Sequence, residues 1–409
     1  MPVTHVAVLG GGLLGCCTAI ALAERGARVT IYEQDDQLIG RASRNNEGKV
    51  HLGYVYAGDL SLATARMMIR GGLSFGPFFE RHLGLYLEDL NPSSPVVYPV
   101  HKDTQRSVEG IAHHLAAVHL LLEEAASGRP RAYLGRDTRE PPRRWTPAEL
   151  ESDFNPDIVP AVFDTHELAV DPFVLAARVR ERVAAESRIE VRLNRKVIAV
   201  EDDGAGLVVT NAGNDVTTRD PYDAVVNALW DGRVLIDAAR GMTSRGPWLH
   251  RFRYGARLEP NVAMPRLPSA TVVHGPFGGV VRYDNGAIYV NWYPACLRAV
   301  SAELTPPDLP TEAAEPLRST IIMDTFRVLG GLMPALSDVE ADFHARASVV
   351  GGVIFAIGSS DIDDPSSGLH HRDQIGIVSS GRYHSVDPGK LTLVPYFAEM
   401  CANRILPRE

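Results

Sequence analysis

Four cysteines in 409 residues are too few for a disulfide framework, and Cys16 and Cys17 are neighbours on one expected helix, where mutual pairing is geometrically disfavoured. Cys296 and Cys401 stand alone and are expected as reduced core thiols. No apolar run reaches the roughly 18 residues needed to cross a bilayer, and the chain enters a strand at once, without a basic region or cleavage site. The expectation is a cytoplasmic protein with no membrane span. Basic residues show no excess either: 41 Lys and Arg stand against 50 Asp and Glu, for a net charge of −9. The arginines are dispersed, so the chain lacks the basic stripe expected of a nucleic-acid binder. Core-forming material is not scarce, since 45% hydrophobic residues over this length supply two or three cores.

What is present is concentrated in the first 33 residues. An apolar strand, His5 to Leu9, runs into Gly10-Gly11-Gly12-Leu13-Leu14-Gly15, then a helix of small residues, then a strand from Arg28 to Tyr32 that ends at Glu33. Gly10 permits a tight turn off the strand, Gly12 lets the backbone approach a pyrophosphate, and Gly15 lets the helix pack closely on the sheet. The helix N-terminus offers unpaired N–H groups to phosphate. Glu33 stands where an acid accepts hydrogen bonds from ribose hydroxyls and would repel a 2′-phosphate, so NADP is disfavoured while NAD and FAD both remain open.

Further along, helices are expected at 61–82 and 107–127, the latter with Ile111, Leu115, Val118 and Leu122 on one stripe. Thr146-Pro147-Ala148-Glu149 has the form of a capping box. A helix follows Asp171-Pro172 to about Ala185, then strands at 188–192, 196–202, 206–210 and 224–228. A second block, 240–345, is richer in short strands (270–273, 279–283, 287–293) with Asp284-Asn285-Gly286 as a turn, and predicts an antiparallel sheet. The chain closes with strands at 348–357 and 375–379, a loop from Gly381 to Gly389, and a helix from Leu391 to Ile405. This pattern predicts an α/β fold: a Rossmann-like dinucleotide domain (1–85, 150–240 and 346–409) interleaved with an α+β domain (86–149 and 241–345) that binds substrate.

With these residues in view, the chain resembles the flavin-dependent oxidoreductases typified by D-amino-acid oxidase, glycine oxidase and L-2-hydroxyglutarate dehydrogenase. The run Arg44-Asn45-Asn46-Glu47-Gly48-Lys49-Val50-His51-Leu52-Gly53-Tyr54-Val55-Tyr56 is similar to the Asn-x-Gly-x-Ile-His-x-Gly segment of the hydroxyglutarate enzymes. Val225-Val226-Asn227-Ala228 and Gly389-Lys390-Leu391-Thr392 resemble later flavin-contacting strands and turns. The resemblance implies FAD rather than NAD. It also implies cofactor contacts from Gln34, Arg41, Ser43, Arg44, Asn46, Glu47, Gly48, Lys49, Val197, Ala228, Trp230, Gly389, Lys390, Leu391 and Thr392, beside Gly10, Gly12, Leu13, Leu14, Gly15 and Glu33. The chain departs from the family at Ala228-Leu229-Trp230-Asp231-Gly232, and Gly358 to Asp364 carries no cysteine for sarcosine-oxidase-type flavin attachment.

FAD takes a hydride at N5 from a carbon bearing an amine or hydroxyl. The expected reaction is oxidation of a C–N bond in an amino acid or amine, the alternatives being a 2-hydroxy-acid oxidation and a flavoprotein without catalysis. Oxygen or an unidentified carrier would reoxidise the flavin. Because such substrates usually bear a carboxylate, Arg253-Tyr254 and Arg282-Tyr283 in the second block are candidates for its grip, with Trp292 and Tyr293 as walls. His51 is the candidate base, hydrogen-bond donor or flavin ligand, and Arg372 is expected to reach the same site. His370 and His371 suggest a metal only weakly, since no further ligand cluster has metal spacing, and no metal is expected.

Overall fold

The computed structural model describes residues 4–260 and 267–408. A six-stranded sheet runs in the order Gly376–Ser380, Tyr383–Asp387, Ala224–Asn227, His5–Leu9, Arg28–Tyr32, Ile189–Arg192; all neighbours are parallel except the antiparallel edge strand Gly376–Ser380. Parallel strands buried on both faces read as near-continuous apolar runs, as Val225-Val226 and Val6-Ala7-Val8-Leu9 do. One face carries the helices Leu13–Ala23, Pro172–Ala184 and Val394–Ile405. Every residue of the first helix is buried, which small side chains permit. The other face is covered by a three-stranded antiparallel sheet (Lys196–Asp202, Leu207–Gly213, Val216–Tyr222).

The second sheet is antiparallel, in the order Ala270–Thr271, Gly278–Arg282, Ile288–Trp292, Trp248–Leu258, Leu297–Ser301, with Ser348–Ile357 also paired to Trp248–Leu258. Helices Leu317–Leu332 and Ser337–Arg346 cover one face through Ile321, Phe326, Leu329 and Phe343, which pack with Phe252, Tyr254 and Val290. The remaining face looks toward the nucleotide sheet. Gly286, at φ +88°, makes the expected turn, and Thr146 and Glu149 form the capping box, with Glu149 N–H on Thr146 Oγ1 at 3.3 Å.

Four expectations need correction. Ser348–Ile357 belongs to the second sheet, because its ten-residue partner Trp248–Arg257 offers a longer ladder than any strand of the parallel sheet. Leu150, Phe154 and Val159 pack in the second core, so the boundary near 150 falls later. The helix Val108–Ala126 packs Ile111, Leu115 and Val118 into the first core because its stripe meets the long helix Ala63–Leu83. Finally, Tyr383–Asp387 is a strand rather than part of a loop.

Candidate active site

At the nucleotide end, three consecutive elements build a phosphate cradle. Gly10 has φ +97°, and a Cβ there would lie 2.7 Å from the Ala228 carbonyl oxygen. A Cβ at Gly15 would lie 1.9 Å from the Gly10 carbonyl oxygen, so only glycine lets the helix Leu13–Ala23 begin this close to the turn. Leu13 N–H donates to Ser43 Oγ at 3.1 Å, which places Ser43 at the helix start. Leu14 is buried behind it. Glu33 accepts from Gly11 N–H at 2.9 Å and Asp35 N–H at 3.0 Å. Burial pushes its carboxyl up, against these two donors. A carboxylate has roughly four acceptor positions, so Glu33 retains capacity for ribose hydroxyls. A cavity of about 480 Å³ is lined by Gln34, Asp35, Arg41, Arg44 and Asn194. Arg41 pairs with Asp35 at 2.6 Å, and Arg44 stacks over Phe173 at 3.9 Å. Val197 is buried at the base of the three-stranded sheet. The cradle and its acid fit the adenosine diphosphate part of a dinucleotide.

The segment 41–51 then crosses to the second sheet. Asn46 holds its bend, donating to the Ala42 and Ser43 carbonyls and accepting from Gly48 N–H. Glu47 pairs with Arg253 at 3.1 Å. Burial would raise the Glu47 carboxyl, but Arg253, Lys49 and Lys390 hold it well below the ordinary carboxylate range. Lys49 donates to Thr271 Oγ1. Thr392, after Gly389 and beside Leu391, accepts from His51 N–H at 2.8 Å and donates to the Lys49 carbonyl at 3.2 Å, so the turn before the last helix is tied to this segment. Trp230, at φ +55°, donates its indole N–H to the Val353 carbonyl at 2.7 Å and bridges the two sheets.

The second sheet sorts the four residues of the expected carboxylate grip by the pleat. In Trp248–Leu258, Phe252 and Tyr254 pack with the helices, and Tyr254 Oη donates to the Pro310 carbonyl at 2.7 Å. Arg251, Arg253 and Arg257 lie on the other face, bonded to Asp361, Glu47 and Asp171. In the next hairpin, Val280, Ile288 and Val290 belong to the helix-facing core, whereas Val281, Tyr283 and Tyr289 pack on the opposite side. Arg282 shares the parity of Val280, and Tyr283 Oη reaches the Glu47 carbonyl at 3.1 Å. Tyr254 and Arg282 are therefore removed from the candidate site, because successive strand residues point to opposite faces. Arg253 and Tyr283 remain in it.

His51 Nδ1 lies 3.1 Å from Glu167 Oε2. Glu167 is fully buried and also accepts from Leu52 N–H (2.6 Å), Gly53 N–H (3.1 Å) and Tyr98 Oη. Burial would raise its carboxyl, but His51 and these donors hold it below the usual range. An ionised carboxylate only accepts, so Nδ1 carries the proton and a neutral His51 presents Nε2 as an acceptor. Tyr56 stacks edge-on to His51 at 5.9 Å, and its buried hydroxyl has no partner among the described residues. Arg372 is buried, donates from Nη1 to the Phe355 carbonyl at 3.3 Å, and is lowered to about 10 by burial and by Arg251. Lys390 is lowered to about 7 by burial and by Arg372.

Sequence reasoning missed Glu167, Arg251, Tyr56 and Asp361. Arg251 had a signal, since it stands two residues before Arg253 on one strand. Glu167 had none: a lone acid in a short segment gives no sign that four donors will surround it. His371 and Asp59 approach to 3.4 Å and, with Asp373, gather ligand atoms within 4.8 Å of one another. Asp59 is already occupied by Ser61 and by Thr64 N–H at the start of a helix.

Comparison with known proteins bears on this arrangement. The chain shares 24% identity over 230 residues with glycerol 3-phosphate oxidase from Mycoplasma pneumoniae, covering 56% of this chain and 54% of that protein. Over a much shorter match, it is 46% identical over 46 residues to the tRNA-modifying bifunctional protein MnmC of Shewanella denitrificans, covering 11% of this chain and 6% of that one. The chain thus spans about half of the first relative's length or much less. Among solved structures, glycine oxidase from Geobacillus kaustophilus superposes with a TM-score of 0.68 at 15% identity, covering 99% of this chain and 96% of that one. FAD-bound L-alpha-glycerophosphate oxidase from Mycoplasma pneumoniae gives 0.64 at 15% identity, covering 100% and 96%. No helix among the described residues is long and apolar enough to cross a membrane. The family model described as DAO, FAD dependent oxidoreductase, matches residues 5–370, and the chain belongs to that family of FAD-dependent enzymes.

Proposed function

We propose that this enzyme oxidises the C–N bond of an amino acid or related amine that bears a carboxylate. Bound FAD would supply the two-electron acceptor for a hydride from the substrate carbon, with oxygen or another carrier restoring its oxidised form. The reading rests on one observation: an imidazole with a fixed proton, His51 on Glu167, stands in the same buried region as the arginines of the second sheet's open face. The segment that carries His51 reaches that face directly, through Lys49 on Thr271 and Glu47 on Arg253 at 3.1 Å. In this reading Arg253 and Tyr283 orient the carboxylate end, and His51 Nε2 takes the proton from the substrate ammonium, leaving a neutral amine able to release hydride. The sheet and the segment 41–51 exclude water. The segments 4–85 and most of 164–240 and 375–408 form the flavin-binding part, and the second sheet with its helices binds the substrate. Solved relatives named as glycine oxidase, L-proline dehydrogenase and NikD amino acid oxidase support the amine reading.

A second reading, oxidation of a hydroxyl-bearing anion, is favoured by the sequence match to glycerol 3-phosphate oxidase. Anaerobic mixing with paired substrates separates them. Bleaching of the flavin band by an amino acid, with none by its 2-hydroxy analogue, is the expected result; the reverse would replace the first reading by the second. Reduction by dithionite alone would indicate a flavoprotein without this catalysis.

A further inference from the structure

Five cations from four stretches of chain converge on the open face of the second sheet: Lys49, Arg251, Arg253, Arg372 and Lys390. Only two have acidic partners there, Arg253 with Glu47 at 3.1 Å and Arg251 with Asp361 at 3.2 Å. Two other acids lie nearby. Asp387 pairs with Arg233 at 3.1 Å, and Glu167 is held by His51, Tyr98 and two backbone N–H groups. Lys49 and Arg372 donate only to neutral oxygens, of Thr271 and Phe355. None of Lys49, Arg372 and Lys390 forms an ion pair among the described residues.

Lys49 and Arg372 are 7% and 6% exposed. Arg251 Nε, Arg372 Nε and Tyr56 Oη are sealed from solvent without a hydrogen-bond partner among the described residues. Buried charge of one sign is costly unless something of the opposite sign is bound with it. Glu167, ionised among neutral donors, offsets one unit, and an oxidised flavin ring offsets none. Two units remain without a counter-charge. The depressed proton affinities of Arg372 and Lys390, each caused by burial first and a neighbouring arginine second, report the same imbalance.

We infer that the substrate is a dianion, carrying beside its first carboxylate a second anionic group, carboxylate or phosphate, that supplies the counter-charge Lys49, Arg372 and Lys390 lack. This rests on the site assignment above, but not on which bond is oxidised. Substrates with one carboxylate leave the imbalance in place and bind weakly.

The test is calorimetric titration of the FAD-loaded protein with acetate, malonate and phosphoglycolate at pH 7 and constant ionic strength. Malonate or phosphoglycolate should bind at least about 30-fold more tightly than acetate, the effect of one to two added charge-assisted hydrogen bonds. Malonate adds a second carboxylate and phosphoglycolate a phosphate of nearly two charges at pH 7, so the preference between them identifies the second group. Arg372→Met should reduce the advantage to below about threefold; Lys49→Met provides the same test if the first variant does not fold. Equal binding of acetate and both dianions would overturn the inference, even if amino acids bleach the flavin. Tight dianion binding without bleaching by any amine would sustain it and defeat the C–N reading instead.

Discussion

The two ends of the site are built in opposite ways. At the nucleotide end, Gly10, Gly12, Gly15 and Glu33 lie within 24 consecutive residues, and each has its effect through local backbone geometry: a turn, a close approach, a helix start. At the substrate end, Glu47, Glu167, Arg253, Arg372 and Lys390 come from distant stretches, and each depends on which partner the fold places beside it. The first kind of site fails when one atom is added. The second fails when a face or a partner is changed.

The sharpest break of the first kind is Gly15→Val. Its Cβ would meet the Gly10 carbonyl oxygen at 1.9 Å, so the helix must move off the cradle. The purified variant should retain no flavin absorbance, and normal flavin content would remove the cradle assignment. For the second kind, Arg253→Met should lower kcat/KM for carboxylate substrates by about 100-fold, the loss of a charged hydrogen bond. It should also cost about 1.5–3 kcal/mol of stability, the loss of one charged hydrogen bond, since Lys49 and Lys390 still face the half-buried Glu47. Steady-state kinetics and denaturant unfolding measure the two effects.

Glu167→Gln sharpens the comparison at intermediate size. The amide keeps the shape but no longer fixes the His51 proton, and flavin reduction should slow by about 10–100-fold, up to the lower end of general-base contributions, with a displaced pH profile. An unchanged profile would make Glu167 a packing residue. Lys390 adds a pH dependence of binding. It is faced by Glu47, Arg253, Arg251 and Arg372, and its ammonium is lowered to about 7. Because the charged form attracts an anion, the Kd of an anionic ligand should rise as pH passes upward through about 7, by at most about tenfold per unit. Lys390→Met should flatten that slope. Smallest of all is Arg282→Met, one pleat position from the site: kcat/KM should change by less than about threefold, as for a substitution outside the reacting face. An effect as large as that of Arg253→Met would reverse the assignment of faces.

The same contrast explains what could be read in advance. Strand, turn, helix, strand and acid followed from residue order, because glycine φ, helix-start N–H groups and strand alternation are local properties. The hairpin at Asp284-Asn285-Gly286 and the capping box at Thr146 were legible for the same reason. Alternation also contained more than was drawn from it: Arg251, Arg253 and Arg257 share one parity, and only the phase was missing. That phase was supplied by the helices Leu317–Leu332 and Ser337–Arg346, which cover the Tyr254 and Arg282 face and leave the other to the flavin side. The strand Ser348–Ile357 was recognisable as a strand, but its sheet depended on a partner about a hundred residues away.

By itself, then, the order of residues determined the cofactor end, the alternation of strands and helices, and the presence of the arginine, tyrosine and histidine that the proposed reaction uses. Tertiary structure alone decided which of them meet. It moved Tyr254 and Arg282 out, brought Glu167 to His51, and gathered Lys49, Arg372 and Lys390 without acids of their own, because burial and the sign of neighbouring charge are properties of packed space and not of position along the chain.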